Sequence, residues 1–306
     1  MKALITGVNG FVGRYLEKEL QNNQYDVVGT DVIGDNVYKI DLLDYENLVQ
    51  LIEQHEPDVI FHLAGQSSVG YSWKNPKYTV ELNVCGTINL LNAVHAGTKK
   101  ARVIIIGSSD QYGVIRLEDN PVKEDQPQNP GSPYAISKYS QELIALSLSK
   151  AYGLDVILTR SFNHIGAGQK TGFVVSDFSS AIVDIEKGRN EPILMVGNLD
   201  AKRDFSDVRD VVCAYRLLAE KGISGEVYNV GSGVAISIQE LLTTLLALSP
   251  AKITVKQDPA KLRPSDVPIV CCDNQKLVRQ TGWKPTCKIE DTLQEILEYY
   301  RNLSVE

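Results

Sequence analysis

Over the first half of the chain, short continuous apolar runs alternate with longer segments of helical periodicity. "KALITG" leads into a helix from about Val12 to Asn22, and "YDVVGTD" into one around "YENLVQLIEQ". "DVIFHLAG" precedes a helical "TVELNVCGTINLLNAVHAG", and "ARVIIIGSS" is followed by a polar, proline-rich loop, a helix and then "LDVILTRSFN". Strands that are apolar throughout, each followed by a helix, predict a parallel sheet covered on both faces: a Rossmann-type, doubly wound α/β fold. Beyond about residue 165 the rhythm loosens, with one clear helix at "FVVSDFSSAIVDIEKG". The expected division is a dinucleotide-binding domain over 1–165 plus about 205–235. A smaller, partly inserted substrate domain takes 166–204 and 236–306.

Composition narrows the classes of partner. The net charge of −7 disfavours a nucleic-acid or membrane surface, and no apolar run is long enough to span a bilayer. An anionic ligand would need locally placed arginines. The amino-terminal "MKALITGVNG" has no secretory signal character. The five cysteines are odd in number and lack CxxC spacing, and the four histidines are scattered. A cytoplasmic protein with reduced thiols and no metal site is the expectation.

The first strand runs into "GVNGFVG", with Gly7, Gly10 and Gly13. At a strand–helix junction such glycines allow a tight turn, close approach of backbone to a pyrophosphate, and close helix–strand packing. Asp31 ends the second strand, where a carboxylate can accept ribose hydroxyls and repel a 2′-phosphate. This favours NADH, although Arg14 next to the glycines leaves NADPH possible. Asp41 and Leu42 follow the third strand near the adenine, and Leu63, Ala64 and Gly65 end the fourth at the cofactor edge.

"SPYAISK" opens the helix after the polar loop. Ser132 suits its N-cap and Pro133 its first turn, and Tyr134 and Lys138 share one face. Alone, such a pair reads as ordinary surface pairing. Ser108, Ser109 and Asp110 lie at the carboxyl end of a strand, where open α/β sheets bind ligands. Together these residues suit ketone reduction. Tyr134 donates the proton, Lys138 lowers the tyrosine's pKa and holds the nicotinamide ribose, and Ser108 hydrogen-bonds the carbonyl as charge develops.

In order and spacing, these motifs resemble the extended short-chain dehydrogenase/reductase superfamily, whose members act mostly on nucleotide-sugars. "RSFNHIGAGQKTGFV", "VGNLDAKRDFSDVRDVVCAY", "LRPSDVP" and "TGWKP" are similar to its GDP-mannose-related branch. The resemblance implies a homodimer, a GDP-sugar substrate and 4-keto-sugar reduction, with cofactor contacts that add Phe11, Val12 and Asn83 to the residues above. Asn83 would also support the active-site helix through its amide. Sugar-nucleotide contacts are implied for Asn163, Lys202, Arg203, Arg263 and Asp266. The alternatives are a 4,6-dehydratase, a 4-epimerase or a non-catalytic NAD-binding regulator. The dehydratases carry a Glu where this chain has the shorter Asp110.

Overall fold

A computed structural model of the protein describes residues 1–35, 37–261 and 267–303. Six strands come in chain order: β1 (Lys2–Thr6), β2 (Asp26–Asp31), β3 (Tyr38–Lys39), β4 (Val59–His62), β5 (Arg102–Ser108) and β6 (Val156–Ser161). They alternate with helices α1 (Phe11–Asn22), α2 (Tyr45–His55), α3 (Val69–Lys74), α4 (Pro76–Val80), α5 (Gly86–Ala96) and α6 (Pro133–Tyr152). After them come β7 (Asn163–Ile165), α7 (Val174–Glu186), β8 (Ile193–Val196), β9 (Lys202–Asp207), α8 (Val208–Lys221) and β10 (Val227–Val230). The rest is β11 (Ala235–Ser237), α9 (Ile238–Ala247), β12 (Thr254–Gln257), β13 (Ile269–Val270), α10 (Gln275–Thr281) and α11 (Ile289–Asn302).

Seven strands form one parallel sheet in the order β10-β6-β5-β4-β1-β2-β3, with Leu4 paired to Val28 on one side and Ile60 on the other. The strand order reverses between β1 and β4, and at that switch point the carboxyl ends of the strands open a crevice. Each face of the sheet is sealed by its own core. Leu16, Leu20, Tyr215, Leu218 and Trp283 fill one side, and Leu48, Leu51, Leu90, Leu91 and Val94 the other. The all-apolar strands follow directly from this double covering.

The chain leaves the large sheet at Phe162. β7, β11 and β13 then assemble around β9, β8 pairs with β12, and α7, α9 and α11 close a third core. In place of the single helix expected over 79–97, α4 and α5 are joined by a π turn at Glu81–Cys85. This turn carries Asn83 into the interior, where it is fully buried. Its amide donates to Gln66 O and Ser137 Oγ (3.0 and 2.9 Å) and accepts the Gln66 N–H. A wide turn held by side-chain bonds of this kind is a common device near functional sites.

Candidate active site

The glycine loop forms because its turn and its packing both exclude a side chain. Gly7 has φ +75°, and a Cβ there would lie 2.9 Å from the backbone of Ala64 at the end of β4. A Cβ at Gly13 would lie 2.3 Å from Gly7 O, so α1 could not approach the strand. Gly10 caps α1 without a side chain, whereas Asp44, Ser132 and Asp207 cap α2, α6 and α8 through theirs. The first-turn amides of Phe11, Val12 and Gly13 thus have no side-chain cap, an arrangement suited to phosphate oxygens. At the end of β2, Asp31 accepts the Asn9 amide on one oxygen (3.1 Å) and the Val32 amide on the other (2.8 Å). The carboxylate is thereby fixed against the glycine loop. These features fit a dinucleotide, whose diphosphate would lie against Gly7, Gly10, Phe11, Val12 and Gly13 and a ribose near Asp31.

The neighbouring predicted positions divide. Leu63 and Ala64 are half-buried and Gly65 is exposed at the crevice floor. Leu42 is buried against Gly86. Asp41 is exposed and accepts the Leu43 amide, closing its own turn. Asn83 lies beneath this floor with its amide committed to Gln66 and Ser137, a supporting position and not a surface one.

At the end of β5, Ser108 closes the turn Ser109–Tyr112 as a capping box. Its N–H donates to Gln111 Oε1 (2.9 Å), and its hydroxyl oxygen accepts the Asp110 amide (3.2 Å). Gln111 Nε2 donates in turn to Glu142 on α6 and to Gln128. Glu142 forms a bidentate pair with Arg160 of β6, at 2.7 and 2.9 Å. The strand-end serine is thus tied to the helix that carries the tyrosine. Ser132 caps that helix, its oxygen accepting the Ala135 amide at 3.1 Å, with Pro133 in the first turn as the sequence anticipates.

Tyr134 is buried, with the Ser108 hydroxyl near its phenol. Burial and the negative charge of Asp110 raise the phenol's pKa, and together they outweigh the opposing influence of the Ser108 hydroxyl. This differs from the expectation that Lys138 holds the tyrosine's pKa down. The Lys138 ammonium donates instead to Ile106 O (2.8 Å) and Gln141 Oε1 (3.0 Å), and burial pushes its own pKa down to about 8. Its nitrogen lies beside Gly65, 3.8 Å from where a Cβ there would stand. The arrangement provides a phenol that keeps its proton at neutral pH and a lysine beside Gly65.

A cleft next to these groups is lined by Ser109, Asp110, Phe162, Asn163, Arg203 and Asp204, among others. It brings together two of the predicted substrate-side residues, Asn163 and Arg203, with Asp110 of the predicted catalytic group. Arg203 is steadied by donating to Val267 O (2.7 Å). Lys202 is exposed and is not part of this lining. Arg263 and Asp266 lie outside the described residues. Sequence reasoning did not single out Asp204, a buried carboxylate that accepts Ser232 N, Ser232 Oγ, Gly233 N and Cys272 N and so pins two loops at the cleft. Nor did it single out Asn9, Gln111, His62 or Gln141. Of these only His62, inside the apolar run "DVIFHLAG", left a signal in the sequence.

Comparison with known proteins agrees with this geometry. Residues 4–296 match the family model described as GDP-mannose 4,6 dehydratase. The chain is 35% identical over 296 residues to GDP-6-deoxy-D-mannose reductase of Pseudomonas aeruginosa, covering 97% of this chain and 96% of that protein. It is 27% identical to GDP-mannose 4,6-dehydratase of Yersinia enterocolitica, covering 97% and 92%. Among solved structures, RMD from Pseudomonas aeruginosa complexed with NADPH superposes with a TM-score of 0.90 at 34% identity, covering 98% of each chain. With its glycine loop, its Ser–Tyr–Lys cluster and these relatives, the chain belongs to the GDP-mannose 4,6-dehydratase family of extended short-chain dehydrogenases/reductases, NAD(P)-dependent enzymes of nucleotide-sugars.

Proposed function

We propose that the protein reduces the C4 ketone of GDP-4-dehydro-6-deoxy-D-mannose to a GDP-6-deoxyhexose, with GDP-D-rhamnose the favoured product. The observation that carries this reading is the Ser108–Tyr134–Asp110 cluster. A buried phenol kept protonated by burial and by Asp110 is suited to giving a proton to a ketone oxygen. Ser108, near that phenol, is placed to hold the same oxygen as charge develops on it. The bound nicotinamide supplies the hydride. Lys138 orients its ribose from beside Gly65, and Asp31 favours NADH at least as much as NADPH.

On the substrate side, Arg203 offers a planar guanidinium to a diphosphate, and Asn163 an amide to a phosphate or sugar oxygen. Arg263 and Asp266 are assigned to the same ligand by resemblance alone. The cofactor is assigned to 1–165 with about 205–235, and the sugar-nucleotide to 166–204 and 236–306. The greater identity to a reductase than to a dehydratase supports reduction over dehydration. So does Asp110, one methylene shorter than the dehydratases' Glu. A dimer is also proposed. Tyr71, Trp73, Tyr78, Val80, Ile136 and Leu143, on α3, α4 and α6, are exposed large apolar side chains that a second copy would cover.

The test uses two substrates. GDP-4-dehydro-6-deoxy-D-mannose with NADH should give stoichiometric NADH loss and a GDP-6-deoxyhexose. GDP-mannose with NAD should give little or no 4-keto product. Efficient dehydration of GDP-mannose would reverse the assignment, and a preference for a UDP- or dTDP-linked ketone would overturn the base.

A further inference from the structure

We infer that Gln141 is a positioning residue for Lys138: its side-chain amide, locked in one orientation by Thr87 and His62, presents the acceptor that holds the lysine beside the cofactor edge. The inference rests on the reading of Lys138 as a cofactor-facing group.

The hydrogen bonds around Thr87 fix the orientation. The Thr87 hydroxyl donates to Asn83 O at 2.8 Å, so its oxygen is left only to accept. Gln141 Nε2 reaches that oxygen at 2.7 Å and His62 Nε2 at 2.9 Å. Both must therefore donate, which makes His62 the Nε2–H tautomer. Its Nδ1 then accepts from Thr6 Oγ1 at 2.9 Å, and Thr6 Oγ1 accepts the Ala64 amide at 3.2 Å. Every proton along this line has one consistent assignment. If the Gln141 amide were flipped, its oxygen would face a threonine with no proton left and its NH₂ would face an ammonium, two mismatches in a dry interior. Thr6, His62, Asn83, Thr87 and Gln141 are all almost wholly buried. Burial pushes His62 down to about 3, the Lys138 charge adding to this, so it stays neutral and the line keeps its polarity across the working pH range.

The acceptor given to Lys138 is neutral. The other titratable or charged groups on α6 and the elements packed against it include His62 on β4, Cys85 on the π turn, His95 on α5, Arg102 on β5, Asp110 and Tyr112 in the strand-end turn, Tyr134, Tyr139, Glu142, Lys150 and Tyr152 on α6, Arg160 on β6, and the exposed Lys74 and Lys77 on α3 and α4. Glu81 on the π turn, Tyr71 on α3 and Tyr78 on α4 face solvent. Glu142 is spent on Arg160, Gln111 and Gln128. Among the described residues Lys138 itself hydrogen-bonds Ile106 O and Gln141. A neutral, oriented amide fixes the ammonium in place without stabilising its charge as a carboxylate would.

The experiment measures NADH and NADPH dissociation constants by fluorescence titration from pH 6 to 10, with no sugar present. The proteins are the wild type, Gln141→Glu, Gln141→Met, Thr87→Val and Lys138→Met, and a thermal melt of each checks the fold. Wild-type affinity should fall as pH passes the Lys138 titration. A carboxylate at 141 holds the ammonium charged and should move that fall up by about one pH unit or more. Gln141→Met should move it down and weaken binding several-fold at pH 7. Thr87→Val, which frees the amide, should act in the same direction as Gln141→Met but less strongly. Opposite displacements by two substitutions at one site are not what a general packing defect produces. Profiles that coincide with wild type in Gln141→Glu and Gln141→Met would overturn the inference. Unchanged affinity in Lys138→Met would instead remove the reading of Lys138 on which it stands. Because no sugar is used, an error in the proposed substrate would leave the result untouched.

Discussion

Replacing Arg160 by Met tests whether the pair beneath Ser108 holds the site together. Arg160 and Glu142 are each about 5% exposed, they meet through two bonds of 2.7 and 2.9 Å, and the guanidinium also donates to Tyr112 Oη and Glu124 O. Methionine keeps most of the aliphatic stem and removes the guanidinium, leaving Glu142, among the described residues, with the amides of Gln111 and Gln128. Breaking one side of a buried pair typically costs about 3–5 kcal/mol. At roughly 2–3 °C per kcal/mol for a chain of this size, Arg160→Met should lower Tm by roughly 6–15 °C. Although burial opposes it, the Arg160 bonds hold the Glu142 carboxyl below its usual range. A depressed carboxylate adds stability above its unfolded pKa of about 4 and loses it as pH falls through the folded value. The deficit of Arg160→Met should therefore be full at pH 7 and shrink toward acid pH. Adding Glu142→Leu should recover part of the loss, since no unpaired charge then remains. Thermal melts at several pH values read all of this. A Tm within about 2 °C of wild type, or a double variant whose losses simply add, would refute the reasoning.

Three further outcomes are expected. Tyr134→Phe keeps the ring and removes the proton donor, so turnover should fall by roughly two or more orders of magnitude while cofactor affinity holds; near-normal steady-state rates would make Tyr134 structural. Asp31→Ala should raise the ratio of kcat/KM for NADPH to that for NADH, and a strong wild-type NADPH preference unchanged by the substitution would misplace Asp31. Light scattering at micromolar concentration should give twice the 33.8 kDa chain mass, and a monomer would remove the proposed second copy from the exposed faces of α3, α4 and α6.

What could be read from the sequence depended on whether the parts lie close along the chain. The glycines at 7, 10 and 13 and the Ser132 cap with its Tyr134–Lys138 pair are local patterns, and their backbone reasons are met in place: Gly7 against Ala64, Gly13 against Gly7 O, and the Ser132 oxygen on the Ala135 amide. The direction of the Lys138 ammonium was not legible, because it is set by Gln141 on the same helix, Thr87 on α5, His62 on β4 and Thr6 on β1, whose separations range from three to 56 residues. Nor was the π turn, which depends on the bonds Asn83 makes to Gln66 and Ser137. Composition alone counted His62 as one of four scattered histidines. Its place in "DVIFHLAG", an apolar strand buried on both sides, carried more information than the count. A polar side chain there must find partners on neighbouring elements or destabilise the sheet. The partners it finds lead to Lys138, so the same burial that builds the core also fixes a side chain at its edge.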